Sequence, residues 1–338
     1  MKKVSIIIPV YKAGQYIARC IESVLAQTYE ALEIVLVDDC SPDRSMAVAT
    51  ECIDRNRRKC DIKVITLDHN QGQSAARNAG IAAATGDYIY FLDSDDYLPP
   101  FTISRLMQGA QGCDADFITG NYIVTGGNRK PPRLNLPTTG IVSDNTAIID
   151  ALYREQWYVA VWNKLIKTDF IRRHNLYFEP GIIHEDDLWT FKLATKARSM
   201  AAVNEDTYVY VLHPGATTWT MTDRHLQCRI RVIELLHRYI DGDASLHTDA
   251  VVSLFEHFKA QYMRIICLAM HDRAKQLSMY DAIRSHRISP RDIRLYRAER
   301  ILSFNYHLPR GLGFLFYKYA ILGRYKFLML KAKLRLPR

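Results

Sequence analysis

The first hundred residues alternate short apolar runs with stretches whose apolar residues recur at helical spacing, and few folds accept that order. Val4 to Val10 reads as a strand, and Ile17, Cys20, Ile21, Val24 and Leu25 then mark one face of a helix. Leu32 to Val37 reads as a second strand, after which Ser41-Pro42 offers a helix start, a capping side chain followed by proline in the first turn. Ile62 to Leu67 gives a third strand, Ser74 to Ala84 a helix of small residues, and Tyr88 to Leu92 a fourth strand. Repeated strand-helix units of this kind build an α/β fold, a mostly parallel sheet covered by helices on both faces.

The chain has 338 residues, of which 48% are hydrophobic, enough for two domains or one large domain with an extension. Residues 125–140, TGGNRKPPRLNLPTTG, break the periodicity and read as a long loop, either a mobile lid or a plain surface excursion. An apolar stretch follows at Tyr158 to Ile166, and an amphipathic helix starts near Glu185. Beyond about residue 222 the pattern is helical, rich in Arg, His, Leu and Tyr, and it merges into a basic tail.

From Ile301 onward there are eight Lys or Arg and no Asp or Glu, so this end supplies +8 of the net charge of +9. Charge confined to one end points to a local anionic partner, nucleic acid or an anionic membrane surface. The seven cysteines show no C-x-x-C and no His/Cys metal spacing, which suits a reducing cytoplasm rather than a zinc site or a disulfide framework. MKKVSIIIPV has the charge and apolar run of a signal peptide, but Pro9, Lys12, Gly14 and Gln15 interrupt it and no small-residue cleavage site follows. No uninterrupted run of ~18 apolar residues exists, so a bilayer-spanning helix is not expected.

Three polar clusters stand at the ends of the first, second and fourth strands: Pro9 to Tyr11, Asp38 to Ser41, and Asp93-Ser94-Asp95-Asp96. Ligands of open α/β sheets bind at the carboxyl ends of the strands, so the clusters converge on one crevice. Neither GxGxxG nor GxxxxGK[ST] is present, which excludes an ordinary dinucleotide binder and a P-loop enzyme. In extended chain Asp93 and Asp95 project to the same side, and two such carboxylates repel unless a proton or a hard divalent cation intervenes. Magnesium or manganese held this way shares its coordination with substrate phosphates. The alternative is an acidic turn in which Asp96 caps the next helix.

KVSIIIPVYKAGQYIARCIESVLAQTYEALEIVLVDDCSPD, NQGQSAARNAGIAAATGDYIYFLDSDDYL, VWNKL and HEDDLWTF resemble family 2 bacterial glycosyltransferases of the GT-A fold, over roughly residues 3 to 220. The resemblance implies a Rossmann-like sheet flanked by helices in residues 1–220, with a nucleotide-binding half (1–100) and an acceptor half (101–220). Residues 221–338 then form a C-terminal helical extension. It implies an inverting hexosyl- or N-acetylhexosaminyltransferase that uses Mn²⁺ or Mg²⁺. The donor would be a nucleotide-diphosphate sugar, by preference a UDP-sugar, and the acceptor a hydroxyl of a glycan or lipid-linked sugar in cell-surface polysaccharide or lipid-linked oligosaccharide synthesis.

By motif, Pro9, Tyr11 and Asp39 would line the base and ribose pocket, with Ser94 beside the donor and Arg77 as a basic contact to it. Asp93 would reach ribose and metal, Asp95 would be the principal metal ligand, and Asp96 would orient the acceptor or cap the following segment. Asp186 would be the catalytic base with Glu185 supporting it, since an inverting displacement needs a base within reach of the incoming hydroxyl. Acidic residues also favour helix N-termini for electrostatic reasons alone. Trp162 and Lys164 match a stretch on the acceptor side, where Trp162 either stacks on a sugar or belongs to the core. His213 would ligate the metal, contact the diphosphate or serve structurally, while Val211 and Ala216 depart from the residues many relatives carry nearby.

Residues 311–338 mix Phe, Tyr, Leu and Met with Lys and Arg, a pattern suited to an interfacial helix on anionic lipid or to a packed helix with a solvated basic face. Nucleic acid is not expected, because no binding motif accompanies the tail. The expected location is cytoplasmic, peripheral on the inner membrane. A sugar nucleotidyltransferase is the competing enzyme class, but PVYKAGQY lacks its glycine-rich loop. A binding-only protein is the other alternative, and it would have no need of a base.

Overall fold

The computed structural model describes every residue except 57–59, 112, 128–130, 137–140, 215–220, 289–292 and 334–338, with side chains as far as Phe327. Two compact units divide the chain, Met1–Thr220 and Met221–Arg338.

Among the described residues the first unit has eight strands, β1 (Val4–Val10), β2 (Leu32–Asp38), β3 (Asp61–Thr66), β4 (Tyr88–Phe91), β5 (Phe117–Thr125), β6 (Ile141–Val142), β7 (Lys164–Lys167) and β8 (Met200–Val211). They form one sheet in the order β3-β2-β1-β4-β7-β5-β8-β6. β3, β2, β1 and β4 are mutually parallel. β7 runs antiparallel to both β4 and β5, β8 is parallel to β5, and the short β6 is antiparallel to β8. Six of the eight strands therefore share one direction, and the sheet is mostly parallel as the sequence pattern implies.

Helices α1 (Ile17–Leu25), α2 (Ser45–Arg55), α3 (Gln73–Ala83), α4 (Thr102–Gly109), α5 (Asn145–Tyr153), α6 (Thr168–Arg173) and α7 (Glu185–Lys196) accompany these strands. β1 is buried along its whole length, which is why it reads as a continuous apolar run rather than an alternating one. Ile6, Ile8 and Val10 share a core with Ile17, Cys20, Ile21 and Val24 of α1. Ile7 points the other way, and a Cβ added at Gly80 of α3 would lie 2.3 Å from its Cγ2. Gly80→Ala should therefore cost about 1–3 kcal/mol through overpacking, read as a lower melting temperature.

Ser41-Pro42 is not the start of α2, which begins at Ser45. Asp43 explains the delay: its carboxylate accepts from Ser41 Oγ at 2.7 Å, Ser45 N at 3.0 Å, Ser45 Oγ, and Gly14 N at 3.1 Å. The expense of burying these donors is avoided in a turn that also pins the β1 loop, and the helix can begin only after it. The loop at 125–140 lies partly outside the described residues. Its middle is tied to the sheet, with Arg133 on Asp206 and the Leu134 N–H donating to Asn121 Oδ1 at 2.8 Å.

The second unit is helical: α8 (Asp223–Asp241), α9 (Asp249–Ala269), α10 (Arg273–Ser285), α11 (Arg297–Ser303) and α12 (Arg310–Lys333). Phe314, Tyr317 and Ile321 on one side of α12 bury themselves among Met263, Tyr280 and Leu302. Among the described residues no helix is long and apolar enough to cross a membrane.

Candidate active site

The parallel strands β1, β2, β3 and β4 release the chain at one edge of the sheet, and the segments that follow them wall a cleft of about 570 Å³. Residues 161–162, 183–186, 210 and 213 close its other side. Pro9, Tyr11, Asp39, Arg77, Asp93, Ser94, Asp95, Trp162, Glu185, Asp186 and His213 all line it. Backbone strain concentrates here: Lys12 (φ 51°) and His184 (φ 70°) line the cleft in left-handed conformation, and Cys40 (φ 55°) follows Asp39. Such conformations cost about 1 kcal/mol or more each and persist where the surrounding structure enforces them.

Arg77 joins the two acidic clusters. Its Nη2 donates to Asp93 Oδ1 at 2.8 Å and its Nη1 to Glu185 Oε1 at 2.7 Å, while the guanidinium carbon stands 5.3 Å from the centroid of the Phe178 ring. The side chain is only 3% exposed. Burial alone would lower its pKa, but Asp93 and Glu185 more than offset that and the net shift is upward. Gln73, at the start of α3, donates from Nε2 to the same Asp93 oxygen at 3.0 Å. Burial nevertheless lifts the Asp93 pKa, with Arg77 opposing and Asp95 adding to the rise. A cation beside this carboxylate would relieve that cost.

Asp93 to Asp96 lie in a turn closed by Asp96 N–H on the Asp93 carbonyl at 3.1 Å, not in the extended chain that the i, i+2 spacing suggests. Asp93 and Asp95 face the cleft all the same. Their oxygens and those of Asp96 can lie within 4.8 Å of one another, a hard donor set that fits a divalent cation. His213 Nε2 sits 2.9 Å from Asp95 Oδ2, and the His213 ring stacks on Tyr16 with centroids 4.3 Å apart. His184, Asp186 and Asp187 form a second set of comparable spacing at the start of α7.

Two of the residues expected on the acceptor side are buried. Asp96 is 1% exposed and does not line the cleft; it accepts from Tyr208 Oη at 2.6 Å and from Val211 N at 2.7 Å. Nor does it cap α4, whose N-cap is Phe101. Its work is to fasten the β4 turn to β8. Lys164 is likewise fully buried, with Nζ donating to the Tyr158 carbonyl at 3.0 Å and to that of Ala160. It shapes the segment that leads into Trp162. Burial pulls its pKa down to about 7, against the opposing charge of Asp186. Ala216 lies outside the described residues.

Asp39 is nearly enclosed: its oxygens accept from Asn70 Nδ2 at 2.9 Å, Gln71 N at 2.7 Å and Gly72 N at 2.8 Å. It thereby sets the turn before α3, where Gly72 supplies a φ of 88°, and retains little free acceptor capacity. Trp162 belongs partly to the core, lying parallel to Tyr208 with centroids 4.4 Å apart, yet it also borders the cleft. Asp186 stands in the first turn of α7, where Asp187 N–H donates to its Oδ1 at 3.0 Å. Burial raises its pKa well above the ordinary carboxylate range, the neighbouring Asp187 and Glu185 charges add to this, and Arg77 opposes. A carboxyl so poised accepts a proton more readily than a solvated one.

The model of the family described as Glycosyl transferase family 2 matches residues 5–174, half of the chain. The chain belongs to glycosyl transferase family 2. This glycosyltransferase is 28% identical over 315 residues to the uncharacterized glycosyltransferase EpsJ of Bacillus subtilis, covering 88% of this chain and 90% of that one. It is 28% identical over 254 residues to the succinoglycan biosynthesis protein ExoO of Rhizobium meliloti, covering 71% and 70%. Residues 1–349 of TarS from S. aureus, solved in complex with UDP-GlcNAc, match with a TM-score of 0.72 at 18% identity, over 96% of this chain and 92% of that one. The fold is accordingly GT-A, and the enzyme is a glycosyltransferase. Gln73, Tyr16, Asn70 and Tyr210, which no motif in the sequence marks, also line the cleft.

Proposed function

We propose that this glycosyltransferase moves a sugar from a UDP-sugar to an acceptor hydroxyl with inversion, and that it depends on Mn²⁺ or Mg²⁺. The observation that carries the reading is Arg77, which holds Asp93 of the one acidic cluster and Glu185 of the other within a single cleft. Asp93 and Asp95 would hold the cation, which when bound offsets negative charge on a departing diphosphate. Asp186 removes the proton of the acceptor hydroxyl as that oxygen bonds to the anomeric carbon and the bond to the diphosphate breaks. Glu185, fixed by Arg77, keeps the start of α7 in register. Pro9 and Tyr11 form the floor for the base, Asp39 fixes the turn beside it, and Ser94 lies next to Asp93. Residues 1–220 constitute the catalytic domain in this reading. The complex of TarS with UDP-GlcNAc supports UDP as the nucleotide, and the likeness to a succinoglycan biosynthesis protein supports a glycan or lipid-linked sugar as acceptor.

Thermal unfolding with UDP, GDP and CMP, each with and without Mn²⁺, tests this directly. UDP with Mn²⁺ should raise the melting temperature by about 5 °C or more at saturating concentration, and UDP alone by much less. Asp95→Asn should abolish the difference between the two conditions. Absence of any shift with all three nucleotides would overturn the assignment of the cleft.

A further inference from the structure

Helix α12 is apolar on two sides, one of them in the core and the other partly exposed. Phe314, Tyr317 and Ile321 enter the core of the second unit. About half a turn around the helix, Leu312, Leu315, Phe316, Tyr319 and Ala320 line an open groove with Leu308. Leu312 is 59% and Tyr319 67% exposed, and Ile301 (54%) and Phe304 (51%) add to the exposed apolar surface of this stretch. The Phe304 ring meets Phe316 edge-on at 5.6 Å, which joins the two segments into one patch. A soluble surface seldom leaves so many large apolar side chains together.

Among the described residues, every exposed charged side chain of α11 and α12 is basic. Arg297 and Arg300 are exposed on α11, and Lys326 is exposed on the same side of α12 as Tyr319. No Asp or Glu follows Glu299, and the sequence continues with Lys331, Lys333, Arg335 and Arg338. Three basic residues of α12 serve the fold instead: Arg310 pairs with Asp281, Arg324 with Glu299, and Lys318 donates to Gln276. A second copy of the chain would bring like charges face to face, whereas anionic lipid would answer them while receiving the apolar side chains.

We propose that the Leu312–Tyr319 face of α12, with Ile301 and Phe304, is a docking surface for an anionic lipid bilayer. Leu312, Phe316 and Tyr319 sink into the headgroup boundary, and Lys326 and Arg300 stay at phosphate level with their stems along the apolar zone. The inference goes beyond the donor chemistry and does not depend on it. It would place the enzyme peripherally on a membrane surface, where lipid-linked acceptors reside.

Co-sedimentation of the full chain with vesicles tests it. Vesicles of phosphatidylglycerol and phosphatidylcholine should bind the protein at least about tenfold better than phosphatidylcholine alone, and added salt should erode the difference. Leu312→Ser and Tyr319→Ser should each lower partitioning about tenfold with the melting temperature unchanged, because both side chains are exposed. Lys326→Glu should weaken binding to the anionic vesicles alone. No binding of the wild type to anionic vesicles, or equal binding by the serine variants, would overturn the proposal. So would a wild-type dimer, seen by light scattering, that Tyr319→Ser dissociates without any effect on vesicles.

Discussion

Asp186→Asn is expected to lower kcat by about 10²- to 10⁴-fold, the range spanned by loss of a positioned general base. Asparagine keeps the shape, and its Oδ1 can still accept the Asp187 N–H that bonds the carboxylate at 3.0 Å. What disappears is the ability to take a proton. UDP and Mn²⁺ should therefore stabilise the variant as they do the wild type, separating binding from chemistry. The raised pKa of Asp186 also fixes two signs. The base works only when ionised, so wild-type kcat/KM should rise with pH through that raised value, and the variant should lose this limb. In the unfolded chain Asp186 ionises at its ordinary, lower pKa. As pH climbs from that value to the folded one, the unfolded state sheds its proton first and the native protein loses stability. Asp186→Asn should consequently melt higher than wild type near neutral pH, and the gain should vanish in acid, where both forms carry a neutral side chain. Normal turnover by the variant would remove Asp186 from the role of base.

The legible parts of this protein are those in which a side chain's type suffices. β1, β2 and β4 are mostly apolar runs, with Ser5 and Glu33 as interruptions, because both their faces are covered, and the polar clusters at their ends are conspicuous for being abrupt. Burial is what the pattern hides. Asp96 stands one residue from Asp95 and carries the same charge, yet one carboxylate faces the cleft and the other lies 1% exposed beneath Tyr208. That difference comes from β8, more than a hundred residues downstream, and no local spacing encodes it. Lys164 escapes in the same way, since its partners are carbonyls, which every residue type supplies. The delayed start of α2 follows from a competition between two good caps, Ser41 and Asp43, that only the three-dimensional position of Gly14 decides. Gln73 is not legible because a neutral amide at the start of a helix is ordinary until an aspartate from the turn after β4 meets it.

Arg77→Met is expected to cost about 3 kcal/mol or more of stability, together with most of the activity. The reason lies in what the guanidinium leaves behind. Asp93 and Glu185 have side chains only 20% and 12% exposed, and without Arg77 two carboxylates would face each other in a cleft with little water to screen them. For a unit of this size that loss amounts to about 6–12 °C in melting temperature. Arg77→Lys should recover part of the stability, because one ammonium can answer one carboxylate. It should not recover activity, because a point charge cannot span Oδ1 of Asp93 and Oε1 of Glu185 as the two ends of a planar fork do. Adding Glu185→Gln to Arg77→Met removes one of the stranded charges and should raise the melting temperature above that of Arg77→Met alone, a coupling that independent sites would not give. Excess Mn²⁺ should also stabilise Arg77→Met more than wild type, since the cation then supplies the positive charge that Asp93 has lost. If Arg77→Met melts like wild type, the two acidic clusters are held together by something other than this arginine, and the proposed coupling of donor side to base side fails with it.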